Sequence, residues 1–135
     1  MGKLLYEKES YEIRGAFFAV WKEFGSAFKE TVIEKALAKE FKERGLSIDR
    51  QKRIDIFYRD EKVGVYIPDF IIDDKIIIEI KVKPVLIQED RRQFWHYLKG
   101  SHYRLGFLVN FGTKKLEVVR RVYDSARTRY QRISA

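Results

Sequence analysis

The chain has 135 residues, no cysteine, and 28 Lys and Arg against 20 Asp and Glu, a formal charge of +8 at neutral pH. That length suits one domain with its own core, and the missing cysteines exclude a disulfide framework, a thiolate zinc site and a cysteine nucleophile. A hydrophobic content of 45% with 15% aromatic residues excludes a disordered polar chain.

Charged residues from Lys3 to Glu9 precede any apolar stretch long enough for a leader, so the expectation is a cytoplasmic protein. From Tyr11 onward, Ile13, Phe17, Val20, Trp21 and Phe24 recur at three- and four-residue spacing and predict an amphipathic helix. The longest apolar run, Gly15 to Trp21, lies inside it and falls far short of the ~20 residues of a membrane span. Gly25-Ser26 interrupts the pattern. A second helix follows through Phe28, Ile33, Leu37 and Phe41 and stops at Arg44-Gly45, where a basic residue and a C-cap glycine belong.

The period then changes. Leu46 to Tyr58 reads as a strand, Arg59 to Lys62 as a polar turn, and Val63 to Ile72 as a second strand containing Pro68. Asp73-Asp74 is a hairpin turn candidate before the isoleucine-rich strand Lys75 to Val82. Beyond Pro84, Gln88 to Lys99 is helical and closed by Gly100; Arg104 to Asn110 and Lys115 to Val122 read as two more strands. Hairpins combined with one strand–helix–strand crossover imply an α/β fold, a mixed sheet of about five strands flanked by helices. The last dozen residues read as a short helix capped by Asp124 or Ser125, or as an arm.

The charge is unevenly placed. Residues 1–98 carry 19 basic and 18 acidic groups, whereas residues 99–135 carry 9 basic and 2 acidic ones. Lys99, Arg104, Lys114, Lys115, Arg120, Arg121, Arg127, Arg129 and Arg132, with Tyr103, Tyr123 and Tyr130 among them, are candidates for a phosphate-binding face. A merely solubilising surface is the alternative.

Three polar placements break the apolar patterns. Glu30 stands on the helical stripe of Ile33, Leu37 and Phe41, where a charge facing the core needs a partner. In the isoleucine strand, Ile76, Ile78 and Ile80 share one face, and Glu79 and Lys81 the other. If Asp73-Asp74 closes a hairpin, Asp69 lies across from Ile78 or Glu79. Two carboxylates ~4 Å apart repel by about 4 kcal/mol at an effective dielectric near 20, which a cation between them relieves. Oxygen ligands of this kind suit Mg²⁺ or Mn²⁺, and Lys81 would add a positive charge for a water nucleophile or a developing phosphorane. Taken singly, each residue also fits a solvent-facing charge, and Glu79 with Lys81 a same-face ion pair.

Pro68-Asp69 followed by Glu79-Ile80-Lys81 resembles the PD-(D/E)xK nuclease signature. The resemblance implies a restriction-endonuclease-like core in which Asp69, Glu79 and the Ile80 carbonyl hold the metal, Glu30 is a further acidic ligand, and Lys81 assists attack on phosphate. Gln93 and Tyr97 match the Gln-x-x-x-Tyr element of the RecB-like branch, which implies support of the site. More narrowly, residues 12–122 resemble the GxxExxY family, PD-(D/E)xK family 3, although Ala27 and Ile33 replace the glycine and tyrosine around Glu30. The implied organisation is a nuclease-like domain, 1–122, with a basic extension, 123–135. The resulting expectation is a Mg²⁺-dependent DNA nuclease. A non-catalytic nucleic-acid-binding module and a resolvase of branched DNA, acting as a homodimer, are the rival readings.

Overall fold

The computed structural model describes residues 5–123. Its elements are α1 (Glu7–Phe24), α2 (Glu30–Glu43), β1 (Ile48–Arg50), β2 (Ile54–Tyr58), β3 (Glu61–Tyr66), β4 (Phe70–Ile72), β5 (Ile76–Lys81), α3 (Gln88–Gly100), β6 (Leu105–Asn110) and β7 (Glu117–Val122). Five strands form a sheet in the order β1-β4-β5-β6-β7, and β2 pairs only with β3. The sheet is mixed, because β5 and β6 run parallel across the α3 crossover while its other neighbours are antiparallel.

Two stretches that read as single strands are each divided. Leu46–Tyr58 becomes β1 and β2, broken where Gln51 takes φ 58° and turns the chain out of the main sheet. Val63–Ile72 becomes β3 and β4, broken at Ile67-Pro68-Asp69, since proline offers no N–H to a ladder. The polar turn is tighter than expected: Arg59 and Asp60 occupy it in the left-handed region, and β3 starts at Glu61. The first helix begins at Glu7, ahead of Tyr11. Asp124, Ser125, Arg127, Arg129, Tyr130 and Arg132 lie outside the described residues.

Alternation along β5 divides the core in two. Ile76, Ile78 and Ile80 pack with Phe70, Phe107 and Val109 beneath α1 and α2. Ile77 faces the other way, with Phe94 and Leu98 of α3 and Ile54 and Tyr66 of the hairpin. Phe17 anchors the first layer, meeting Phe41, Phe107 and Phe111 edge-on with centroids 6.2, 6.0 and 6.5 Å away. Arg44 ties the two helices together through Glu40 at 2.8 Å and Glu12 at 3.1 Å, its guanidinium filling the space that a side chain on Gly15 would need.

Beyond β5 the chain is held by an amide clamp. Asn110, fully buried at the end of β6, accepts the Lys83 and Gly112 N–H groups at 3.0 Å each and donates to the Lys83 carbonyl at 3.0 Å. Phe111 donates its N–H to the Lys81 carbonyl at 2.9 Å. Gly112 lies so close that a Cβ there would sit 2.3 Å from the Lys83 nitrogen and 2.4 Å from its oxygen. Gly112→Ala should therefore lower the unfolding free energy by at least about 1–3 kcal/mol in a denaturant titration. Gly64→Ala, with nothing within 4 Å of the new methyl, should raise it by up to about 1 kcal/mol; equal effects at the two positions would contradict the clamp.

Candidate active site

Asp73 and Asp74, both left-handed at φ 51° and 53°, and Lys75 make the three-residue connection of the hairpin, in which the Lys75 N–H donates to the Ile72 carbonyl at 2.9 Å. The register pairs Ile72 with Ile76, Ile71 with Ile77 and Phe70 with Ile78. One step further sets Asp69 opposite Glu79, which decides between the two registers the sequence left open. The Ile80 N–H donates to Asp69 Oδ2 at 2.7 Å. A strand residue directs its N–H and C=O to the same edge, so the Ile80 carbonyl shares that side.

Glu79 and Lys81 point toward α3. Together with Tyr66, Asp90, Gln93, Phe94, Tyr97 and Leu108 they line a cavity of about 20 Å³, room for on the order of one water. Gln93 and Tyr97 thus meet Glu79 and Lys81 in one place. The Tyr66 ring stacks on Tyr97, with centroids 4.3 Å apart and planes within 3°. Its hydroxyl is buried without a well-formed hydrogen bond, yet it lies close enough to Glu79 that the carboxylate, after burial itself, pushes the phenol's pKa up.

Crowding and burial hold protons on this site. Burial raises the Glu79 carboxyl to about 8, helped by the charge of Asp69 and opposed by Lys81. Burial likewise raises Asp69 to about 6, against the Ile80 hydrogen bond, with Glu34 and then Glu30 adding repulsion. Glu30 departs from the expected buried position. Ile33, Leu37 and Phe41 of its stripe are buried, but Glu30 is the first residue of α2, where the stripe runs past the core, and it is exposed. Enough protein surrounds it for partial desolvation to raise its carboxyl; Glu34 adds to the shift and Lys81 opposes it. Among the described residues, no three carboxylates or histidines close into a metal-holding group.

The donors present fit a hard cation nonetheless. Asp69, Glu79 and the Ile80 carbonyl would all offer oxygen donors, and Mg²⁺ is commonly held by one or two carboxylates with its remaining positions left to water and phosphate. Two partly buried carboxyls that repel each other gain from a divalent charge between them.

Several neighbours of the site escape a reading of spacing alone. Tyr66 looks like an ordinary core aromatic of an alternating strand. Glu34, which accepts from Arg50 and Gln51 at 3.3 Å each, acts on Asp69 more strongly than Glu30 does; its signal was its place one turn after Glu30. Asp90 caps α3 through the Ile87 N–H at 3.0 Å and pairs with Lys83 at 2.6 Å.

Among the described residues, the basic side chains are spread over both ends of β6 and both sides of β7. Lys99, Arg104, Lys114 and Lys115 are exposed, but Lys114 and Lys115 lie in the β6–β7 connection, whereas Lys99 and Arg104 flank the α3–β6 connection at the other end of β6. Arg120 and Arg121 are adjacent in β7 and alternate to opposite sides. Arg120 turns inward, donating to the Leu5 carbonyl at 3.2 Å, and burial pushes its pKa down, with Arg14 adding repulsion.

The profile of the PD-(D/E)XK nuclease superfamily matches residues 7–122, and the chain belongs to that superfamily. No curated protein matches it. Among solved structures, the fold is similar to that of an alkaline exonuclease, LHK-Exo, from Laribacter hongkongensis, with a TM-score of 0.52 at 14% identity over 98% of this chain and 77% of that one. The architecture is therefore the restriction-endonuclease-like α/β fold. Among the described residues, no helix is long and apolar enough to cross a membrane.

The raised carboxyls give a pH signature in the presence of a chelator. Because their folded pKa values lie above the unfolded ones, their stabilising contribution is complete below about pH 4 and is lost as pH rises through about 6 for Asp69 and about 8 for Glu79. Relative to Glu79→Gln, the wild-type melting temperature should fall steadily between about pH 5 and 9. A difference that stays flat over that range would rule out a strained Glu79.

Proposed function

We propose that the protein is a cytoplasmic Mg²⁺- or Mn²⁺-dependent nuclease that hydrolyses phosphodiester bonds in DNA. The observation that carries this reading is the placement of Asp69 opposite Glu79, with Lys81 beside them, at the carboxyl end of β5 in a member of a nuclease superfamily. Ligand sites in α/β sheets lie outside the carboxyl ends of their strands.

In this reading Asp69, Glu79 and the Ile80 carbonyl hold the metal, and Glu30 reaches it through water. The bound ion would neutralise phosphate charge and lower the pKa of a bound water. Lys81 emerges two residues after Glu79 on the same face, so its ammonium is set to orient an attacking water or to offset charge gathering on the phosphate oxygens. Gln93 and Tyr97 shape the wall facing these groups, and Tyr97 keeps Tyr66 stacked above Glu79. Lys99, Arg104, Lys114, Lys115 and Arg121 would contact the DNA backbone at separate points, and residues 123–135, as a basic extension to a domain spanning 1–122, would add to that grip. Arg120 would serve mainly to hold the N-terminal segment.

With Mg²⁺ or Mn²⁺, the wild type should cleave DNA, and Asp69→Ala and Lys81→Ala should each slow cleavage by at least about 100-fold, in line with the loss of a charge-stabilising group. Cleavage should stop on chelation. DNA binding that falls with salt but never yields cut product, together with no heat of Mn²⁺ binding, would instead favour the non-catalytic module.

A further inference from the structure

A hollow lined mainly by cationic side chains lies away from the carboxylates. A pocket of about 270 Å³ is lined by Tyr6, Lys52, Asp74, Lys75, His102, Tyr103 and Arg104. It opens at the start of β5, beside the Asp73-Asp74 turn. Lys81 lies six residue steps beyond Lys75, roughly 20 Å at ~3.3 Å per residue, so the pocket and the carboxylate pair occupy opposite ends of the same strand.

Its chemistry is that of an anion receptor. Three permanent cations and an imidazole face one carboxylate. That carboxylate, Asp74, is already engaged: Tyr103 Oη donates to its Oδ1 at 2.8 Å, and Lys52 Nζ stands 3.5 Å from the same atom. Lys75 pairs with Glu9 at 3.0 Å and lies over the Tyr6 ring, 5.4 Å from its centroid. Arg104 and His102 form no ion pair among the described residues, and both are exposed. An arginine fork left free beside a lysine is suited to bidentate capture of phosphate oxygens.

The walls are also held in place before any ligand arrives. Tyr103 is buried, and its bond to Asp74 ties the β4–β5 turn to the α3–β6 connection. Ser101 braces that connection, its hydroxyl donating to Leu98 O at 2.8 Å and accepting the Tyr103 N–H at 3.2 Å. Tyr123 N–H fixes the Arg104 carbonyl at 2.8 Å. A backbone already fixed around His102 and Arg104 leaves chiefly their side chains to be ordered on binding, which is what separates a receptor from a diffuse charged surface.

We propose that this pocket is a second, non-catalytic phosphate-binding site, with Arg104, His102 and Lys52 as its anion ligands. The group it takes is a phosphate, either one belonging to a nucleic-acid strand or a free anion. This assignment does not depend on the nuclease reading, and its test is run with the metal chelated.

The full chain, ¹⁵N-labelled and in excess chelator, is titrated with inorganic phosphate and followed by amide chemical shifts. Saturable movement should appear at Asp74 and at His102 to Arg104. The double variant His102→Ala/Arg104→Ala should weaken the apparent affinity at least 10-fold. Lys35→Ala, which removes one exposed cation on α2, and Asp69→Ala should leave it within 2-fold. A single-stranded oligonucleotide that moves the same amides and competes with phosphate identifies the strand as the source; one that leaves them unmoved identifies the free anion. Shifts that do not saturate, that fall equally in Lys35→Ala, or that survive the double variant would overturn the assignment. Unchanged melting of the double variant separates loss of binding from loss of fold.

Discussion

The register of one hairpin governs this molecule. The Asp73-Asp74-Lys75 connection joins β4 to β5 in a pairing that sets Asp69 against Glu79 and the Ile80 N–H against the Asp69 carboxylate. Slippage by one residue would exchange every inward and outward side chain of β4. Ile71, now against α3, would then compete with Phe70 for the α1–α2 layer, and Asp69 would turn from Glu79. Burial of the isoleucines on both faces of β5 therefore protects the placement of two polar groups that burial alone disfavours.

That placement costs stability, as the raised carboxyl pKa values express. Cores above and below supply apolar contact to offset it, while the clamp from Asn110 and the Phe111 N–H fixes the chain just past Lys81 with uncharged hydrogen bonds. Electrostatic strain and structural support thus come from different residues. The basic surface follows the same division: exposed cations stand at separate ends of the sheet, while Arg120 turns inward and braces the N-terminal segment.

Much of this was legible from residue spacing because the relevant signals are local. Helical periods located α1 to α3, alternation separated Glu79 and Lys81 from Ile78 and Ile80, and an acidic dipeptide between apolar runs marked the decisive turn. What stayed hidden depends on tertiary context. Leu46–Tyr58 holds no glycine or proline to mark a break, and Gln51, in a left-handed conformation within the polar run Asp49 to Arg53, divides it between two sheets. Glu30 obeys its helical period, but no sequence pattern reports where a helix end passes the edge of the core. Tyr66 illustrates a third case, since an aromatic over a carboxylate and an aromatic in an apolar layer occupy identical positions in an alternating strand.

The Asn110 clamp has a consequence for how this protein would fail. Its three hydrogen bonds are uncharged and partly buried, so they are indifferent to the protonation of Asp69 and Glu79 and to ionic strength. Chemical silencing and loss of shape are thereby uncoupled. If the proposed metal-dependent reading holds, acid, a chelator or a charge-removing substitution would leave an inert chain with native architecture, one that competes for the same substrate as its competent copies. Damage at Asn110 or Gly112 acts in the opposite order, releasing the backbone beyond Lys81 while every acidic and basic group remains chemically intact.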